Sequence, residues 1–247
     1  MESGLPQIIV GSDTYPPYIY LNNDGIPAGI DVEIATEAFR RMGYAPRFET
    51  IDWEQKTTLV ESGAHVRHIR IITEMLLHCL LGVSNRYSIS AEQQDMIPLA
   101  SALHDIGKIG IDEKILNKPG KLAPEEFEII KTHSMLGAGM LHDLDEFAEQ
   151  PLLQTAYEIA RWHHERWDGR GYPDGLKDDE IPISAQLVSL ADVYDALTSE
   201  RCYKKAFSHE KAVQMILNGE CGAFNPLLLQ CLTDIQAALK EELQQHN

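Results

Sequence analysis

Two histidines in direct succession, His163 and His164, run straight into Glu165-Arg166-Trp167-Asp168-Gly169-Arg170-Gly171-Tyr172-Pro173, and no other feature constrains this chain as much. An ordinary helix end followed by an Asp-Gly turn accounts for Asp168 to Gly171 but leaves the adjacent imidazoles unexplained. Upstream, His104 and Asp105 form a second pair, and His65, His133 and Asp192 stand singly, each on or at the end of a predicted helix. Imidazole and carboxylate are the ligands of hard-to-borderline divalent ions, and helices that each contribute such a side chain build metal centres in bundle cores. A fold that uses these residues together must bring widely separated helix segments to one place.

The segment texture fits that demand. From about Glu61 to Asn247 the pattern predicts helices joined by short Gly/Pro loops, without a convincing strand. Pro124 opens one helix, Ser184 precedes Ala185 to Thr198, Ser208 precedes His209 to Asn218, and Asn225-Pro226 opens the last. Ile97, Ala100, Ala102 and Leu103 form an apolar face leading to His104-Asp105. Gly107 is expected to end that helix, and Lys108, four residues after His104, to share its side of the helix end. Asp195, three residues after Asp192, reads as an acid that fixes a neighbouring ligand or the following loop rather than as a ligand. His68, His78, His142, His209 and His246 read as ordinary surface or hydrogen-bonded core histidines.

Residues 1–60 differ. Ile8-Ile9-Val10 and Tyr18 to Leu21 read as strands, with an Asn22-Asn23-Asp24-Gly25 turn after the second. A helix over Ile30 to Met42 is stopped by Gly43, a strand follows over Tyr44 to Ile51, and Trp53 to Ser62 again looks helical. The fold class expected is therefore mainly α, a helical bundle with a metal centre, preceded by a short α/β fragment of βαβ type. The division falls between 1–60 and 61–247.

Composition narrows the partners. With 44% apolar residues the chain has enough to bury a core, and 21 basic against 38 acidic residues leave a net charge of −17. Such a balance, without a segregated basic stripe, disfavours nucleic-acid polymers and anionic membranes. It does not disfavour a small phosphate ester held by metal ions and a few placed cations. Met1 to Gln7 lacks a basic and an apolar signal region, and the longest apolar stretch, Ile69 to Val83, is interrupted by Arg70, Glu74 and His78. Cys79, Cys202, Cys221 and Cys231 lie far apart without CxxC spacing, as expected of reduced thiols, so a cytoplasmic location without disulfides is expected.

His104-Asp105-Ile106-Gly107-Lys108 together with His163 to Pro173 resembles the two defining motifs of HD-GYP domains, a branch of the HD phosphohydrolase superfamily. The similarity covers roughly residues 61–240, with further family-like stretches at Lys114 to Lys121, Lys131 to Gly137, Ala191 to Leu197 and Arg201 to Lys204. The resemblance implies that His104, Asp105, His133, His163, His164 and Asp192 bind metal, with Asp105 bridging two ions, and that Glu61 with His65 holds a third. It implies two or three divalent ions, iron or manganese first. Lys108 would act beside the metals as an electrostatic stabiliser or proton donor; Arg201 and Lys204 would grip phosphate, and Gly171, Tyr172 and Pro173 would contact substrate. Cys202 stands where the family usually has proline.

The activity so implied is hydrolysis of cyclic di-GMP to linear pGpG and on to GMP, in bacterial second-messenger signalling. Diguanylate cyclase (GGDEF) domains and a second copy of the chain are the candidate protein partners. Two rivals differ in class. A catalytically silent cyclic-dinucleotide receptor or interaction module would show eroded ligands, and none of the six principal positions is eroded. A phosphodiesterase for 3′3′-cyclic GMP-AMP would keep every motif.

Residues 8–62, with Tyr15-Pro16-Pro17-Tyr18, Gly29-Ile30-Asp31 and Gly43-Tyr44, resemble the opening βαβ of a bacterial amino-acid-type solute-binding domain. The remaining pocket of such a domain is absent from the sequence, so the fragment reads as the remnant of a truncated or internally deleted sensor rather than as a binding site.

Overall fold

The computed structural model describes residues 7–12, 20–22, 25–41, 45–50, 60–118, 120–144, 150–199 and 205–245. The chain divides into two compact units, residues 1–61 with 143–146 and residues 62–142 with 147–247.

In the smaller unit, β1 (Gln7–Ser12) pairs in parallel with β4 (Ala45–Thr50) from Gln7↔Ala45 to Ser12↔Thr50. Helix α1 (Ile30–Arg41) makes the crossover that a parallel pair requires. Val32 and Phe39, seven positions apart and so on one side of the helix, are buried. A short antiparallel pair, β2 (Tyr20–Leu21) and β3 (Pro27–Ala28), flanks the turn expected at Asn22 to Gly25. Asn22 Oδ1 accepts from the Ile26 amide at 2.9 Å and holds that turn. The βαβ reading is thus met, while most of the helix expected over Trp53 to Ser62 falls outside the described residues.

The larger unit is helical: α2 (Val60–Val83), α3 (Ala91–Ala100), the short α4 (Glu113–Leu116), α5 (Pro124–His142), α6 (Pro151–Trp162), α7 (Ile183–Thr198), α8 (His209–Leu217) and α9 (Pro226–Gln245). In α2 the fully buried side chains Ile69, Ile72, Leu76 and Leu80 recur at the three-to-four-residue spacing of one helix face. His65 lies one turn before Ile69 on that same face, so the packing that buries the apolar stripe also points His65 inward. Each such burial contributes roughly 1.5–3 kcal/mol, and the helix has no rotational freedom to present His65 elsewhere. The same logic places His133 one turn before buried Gly137, His163 one turn after buried Ile159, and Asp192 one turn after buried Val188.

Two boundaries differ from expectation. The helix before His104 stops at Ala100 and continues as two tight 3-10 turns, Ser101–Leu103 and Ile106–Gly110, with Asp105 between them. Pro98 lies inside α3 and has no amide to donate, and Ser101 Oγ takes the Pro98 carbonyl at 2.7 Å, so the chain tightens here instead of running on to Gly107. Helix α7 begins at Ile183, after Pro182, and Ser184 lies inside it. Its hydroxyl donates to Glu158 Oε2 at 2.7 Å instead of capping a helix. Ser208 does cap α8, accepting from the Lys211 amide at 3.3 Å. Cys79, Cys221 and Cys231 are free thiols. Among the described residues no helix is long and apolar enough to cross a membrane.

Candidate metal centre

The sequence-selected histidines and acids of the helical unit converge. Asp105, His133, His163 and His164 place one donor atom each within 4.8 Å of one another, and His65, His104 and Asp192 do the same. Asp105 reaches toward both groups. Its Oδ1 is 3.3 Å from His133 Nε2 and 3.9 Å from His163 Nε2, and its Oδ2 is 3.3 Å from His104 Nε2. His65 Nε2 lies 3.9 Å from Asp192 Oδ1.

The imidazoles present the same nitrogen to the centre because the other is already committed. Nδ1 of His104 faces the Ser101 carbonyl at 2.8 Å, that of His133 the Ile130 carbonyl at 2.6 Å, and that of His163 the Ile159 carbonyl at 2.9 Å. His65 Nδ1 faces Asp195 Oδ2 at 2.7 Å. A carbonyl or carboxylate oxygen only accepts, so each Nδ1 carries hydrogen and each neutral ring turns a bare Nε2 lone pair inward. Yet His65 Nε2 and His104 Nε2 are 3.3 Å apart, and His133 Nε2 and His163 Nε2 are 3.5 Å apart. Lone pairs that face each other at these distances repel unless a proton or a metal ion lies between or beside them. The residues present therefore fit divalent metal, with borderline nitrogen and hard oxygen donors in each group.

Electrostatics favours the same occupant. Burial, aided by the charge of neighbouring imidazoles, pushes His163 and His164 well below the ordinary histidine value, and burial lowers His133. These rings stay neutral, as ligands must. Burial works against the charge on Asp105, but the His104 hydrogen bond and the nearby His104, Lys108 and His163 hold its carboxyl well below the usual carboxylate range. His104 moves the other way: although burial opposes a proton, Asp105 draws its value up. Lys108 Nζ pairs with Asp105 Oδ2, the same oxygen that faces His104 Nε2.

Two close approaches build the frame. A Cβ on Gly107 would lie 1.9 Å from the His133 carbonyl oxygen and 2.4 Å from the Gly137 amide nitrogen, so only glycine lets the Ile106–Gly110 turn rest on α5 and bring Asp105 to His133. A Cβ on Gly171 would lie 2.3 Å from Glu165 Cα, so the loop after His164 folds directly back on the histidine pair. Glu165 Oε1 ties that fold by accepting from the Asp174 and Gly175 amides at 2.7 and 3.0 Å. The result is that Tyr172 stacks on His164, ring centroids 4.7 Å apart and planes 28° from parallel. Gly171 and Pro173 are Tyr172's neighbours in the sequence.

Glu61 lies in the first turn of α2, one turn before His65, but its side chain is outside the described structure, as are Arg201, Cys202 and Lys204 altogether. The sequence reading missed Glu165 as the loop tie. His68 is a buried, hydrogen-bonded core histidine as expected, and its partner, Asp195 Oδ1 at 2.8 Å, belongs to the acid that also holds His65. The signal was present in the spacing: Asp192 and Asp195, like His65 and His68, are three residues apart on single helices.

Comparison with known proteins gives the family. Residues 62–222 match the HD domain family, and residues 8–65 match the family 3 bacterial extracellular solute-binding proteins. A probable cyclic di-GMP phosphodiesterase of Vibrio cholerae is 40% identical over 205 residues, 79% of this chain and 46% of that protein. A cyclic di-GMP phosphodiesterase of Thermotoga maritima is 44% identical, covering 61% of this chain and 42% of its own. A 3′3′-cGAMP-specific phosphodiesterase of Vibrio cholerae is 38% identical, covering 70% of this chain and 31% of its own. The chain spans less than half the length of these relatives.

Proposed function

This chain belongs to the HD domain family, and on that premise we propose that it is a metal-dependent phosphodiesterase that opens a cyclic dinucleotide, cyclic di-GMP first. The observation that carries the reading is the position of Asp105, one oxygen toward His133 and His163 and the other toward His104, so that a single carboxylate can serve two adjacent donor groups. Relatives whose names give cyclic di-GMP phosphodiesterase activity support the substrate class.

His104, His65 and Asp192 would hold one divalent ion, and His133, His163 and His164 another, with Asp105 shared; iron or manganese suits this mixture of nitrogen and oxygen donors. Glu61, four residues before His65 in the sequence, would with it hold a third. Bound there, such ions would supply the acidity that activates a water and would offset charge on the phosphoryl oxygens. The chain's own side chains do the rest. His65, His104, His133 and His163 keep their positions because each Nδ1 is anchored. Lys108, 39% exposed and paired with Asp105, can swing its ammonium to a phosphoryl oxygen or protonate the departing ribose oxygen. Tyr172, braced on His164, bounds the site, and Arg201 and Lys204 would pair with the phosphates.

The test is hydrolysis of cyclic di-GMP by anaerobically purified protein loaded with ferrous iron or manganese, beside Asp105→Ala. Turnover by the wild type that is lost in the variant is expected. Measurable dinucleotide binding without turnover, at full metal content, would instead make this chain a receptor. Parallel assays with 3′3′-cyclic GMP-AMP decide base preference, which the Vibrio cholerae relative named for that substrate makes a live alternative.

A further inference from the structure

Helix α5 carries more than His133 to the mouth of this centre. Lys131, two residues before it, sets its ammonium 5.3 Å from the ring centroid of Phe127 and 5.6 Å from that of Tyr172. Phe127 is 47% exposed, which no packing requirement explains, and it lies one turn before Lys131 on the same helix. Tyr172 has one face covered by His164. Lys131 also pairs with Glu128 Oε1 at 2.6 Å, one turn back along α5. Two aromatic rings and a cation thus form a continuous edge leading outward from a candidate metal ligand.

We propose that Phe127, Lys131 and Tyr172 form a nucleobase subsite: a purine of the bound cyclic dinucleotide stacks against Phe127 and Tyr172 and displaces the Lys131 ammonium, which then pairs with a phosphate. This rests on the phosphodiesterase reading and specifies how that site takes its substrate. Every nucleobase offers a π-face, and aromatic side chains stack on unpaired bases irrespective of sequence. In the free protein the ammonium already uses the attraction of both rings for positive charge. A purine takes over those ring faces, and the released cation meets an anionic ligand in a chain whose net charge of −17 otherwise repels it. The phosphate is held by the metal-binding residues and the bases extend from it, so a stacking platform that begins at His164 and Tyr172 stands where a base must go.

The experiment uses the full chain, loaded with manganese, and a cyclic dinucleotide with 2-aminopurine in place of one guanine, whose fluorescence is quenched on stacking. Wild-type protein is expected to quench it. Phe127→Ala is expected to lose most of the quench and to raise KM for cyclic di-GMP about tenfold, with metal content unchanged, since loss of a base–aromatic stack has an effect of that order. Phe127→Trp should restore both, and Lys131→Met should raise KM while sparing the quench. If the wild type hydrolyses cyclic di-GMP but Phe127→Ala keeps its quench and KM within about twofold, the subsite is refuted and the phosphodiesterase reading stands. If the wild type neither hydrolyses nor binds a cyclic dinucleotide, both fall together.

Discussion

Asp195 holds His65 from behind: its Oδ2 is 2.7 Å from His65 Nδ1, on the side of the ring opposite the nitrogen turned toward His104. Burial opposes the charge on Asp195, but hydrogen bonds from His65 and His68 keep its carboxyl well below the usual range, so the grip is that of an anion. A carboxylate in this position fixes the tautomer and raises the basicity of the ligating nitrogen. Asp195→Asn is therefore expected to weaken metal binding at His65, His104 and Asp192 by about 10- to 100-fold, leaving the Asp105, His133, His163 and His164 group occupied. Metal content after dialysis should fall by one equivalent; a variant that keeps its full complement would show that Asp195 does not position His65.

Gly107 makes an equally specific demand on the backbone. Because a Cβ there would overlap the His133 carbonyl and the Gly137 amide, and backbone atoms in a packed helix have little room to retreat, Gly107→Ala is expected to destabilise by more than about 3 kcal/mol. Gly139 is also in α5 but has nothing within 4 Å of its would-be Cβ. Gly139→Ala should be neutral or stabilising by up to about 1 kcal/mol. Urea unfolding of the pair decides, and similar midpoints would mean that the turn yields where the packing says it cannot.

Much of this was legible from the chain alone, and unevenly. Helical periodicity located the segments carrying His65, His133, His163 and Asp192, because the stripe that packs the core is the stripe that bears the ligands. The two motifs named Asp105, the residue on which the centre turns. What periodicity could not give was the break at Ala100, which depended on where Ser101 Oγ found a partner. Glu165 went unread because a glutamate following two histidines carries no periodic signal; its role depends on a loop that returns nine residues later to offer two amides.

The loop after His164 has its own electrostatic fastening. Arg161 forks onto Asp174, Nε at 2.8 Å and Nη2 at 3.1 Å, and Trp162 Nε1 donates to the same carboxylate at 2.7 Å. The Arg161 hydrogen bond, then that of Trp162, holds the Asp174 carboxyl below its ordinary value. A depressed carboxylate contributes stability that is present above its unfolded value, about 4, and is lost as pH falls through the folded one. The contribution is modest, about 1 kcal/mol or less, because the pair is partly solvated. Wild type should thus melt slightly above Asp174→Asn at pH 6, with the gap closing toward pH 3. A gap that persists unchanged in acid would assign the effect to packing rather than charge.

Metal and proton compete for the same nitrogens, which ties stability to both. Burial already keeps His133, His163 and His164 neutral, so the folded chain without metal loses stability as pH falls below the unfolded histidine value of about 6.5, where the unfolded state takes up protons that these rings refuse. A divalent ion that binds only the folded chain adds RT ln(1 + [M]/Kd), about 2.7 kcal/mol at a hundredfold excess over Kd. Manganese should therefore raise the melting temperature at pH 7.5, and a chelator should lower it to the metal-free value. The gain should shrink at pH 5.5 through His104, whose raised value lets a proton compete with the ion in the folded chain. Asp105→Asn, which removes the shared carboxylate, should abolish most of it. Melting that is indifferent to metal and chelator at pH 7.5, or a shift undiminished in Asp105→Asn, would mean that the facing imidazoles are satisfied by protons and that Asp105 does not join the two groups around metal.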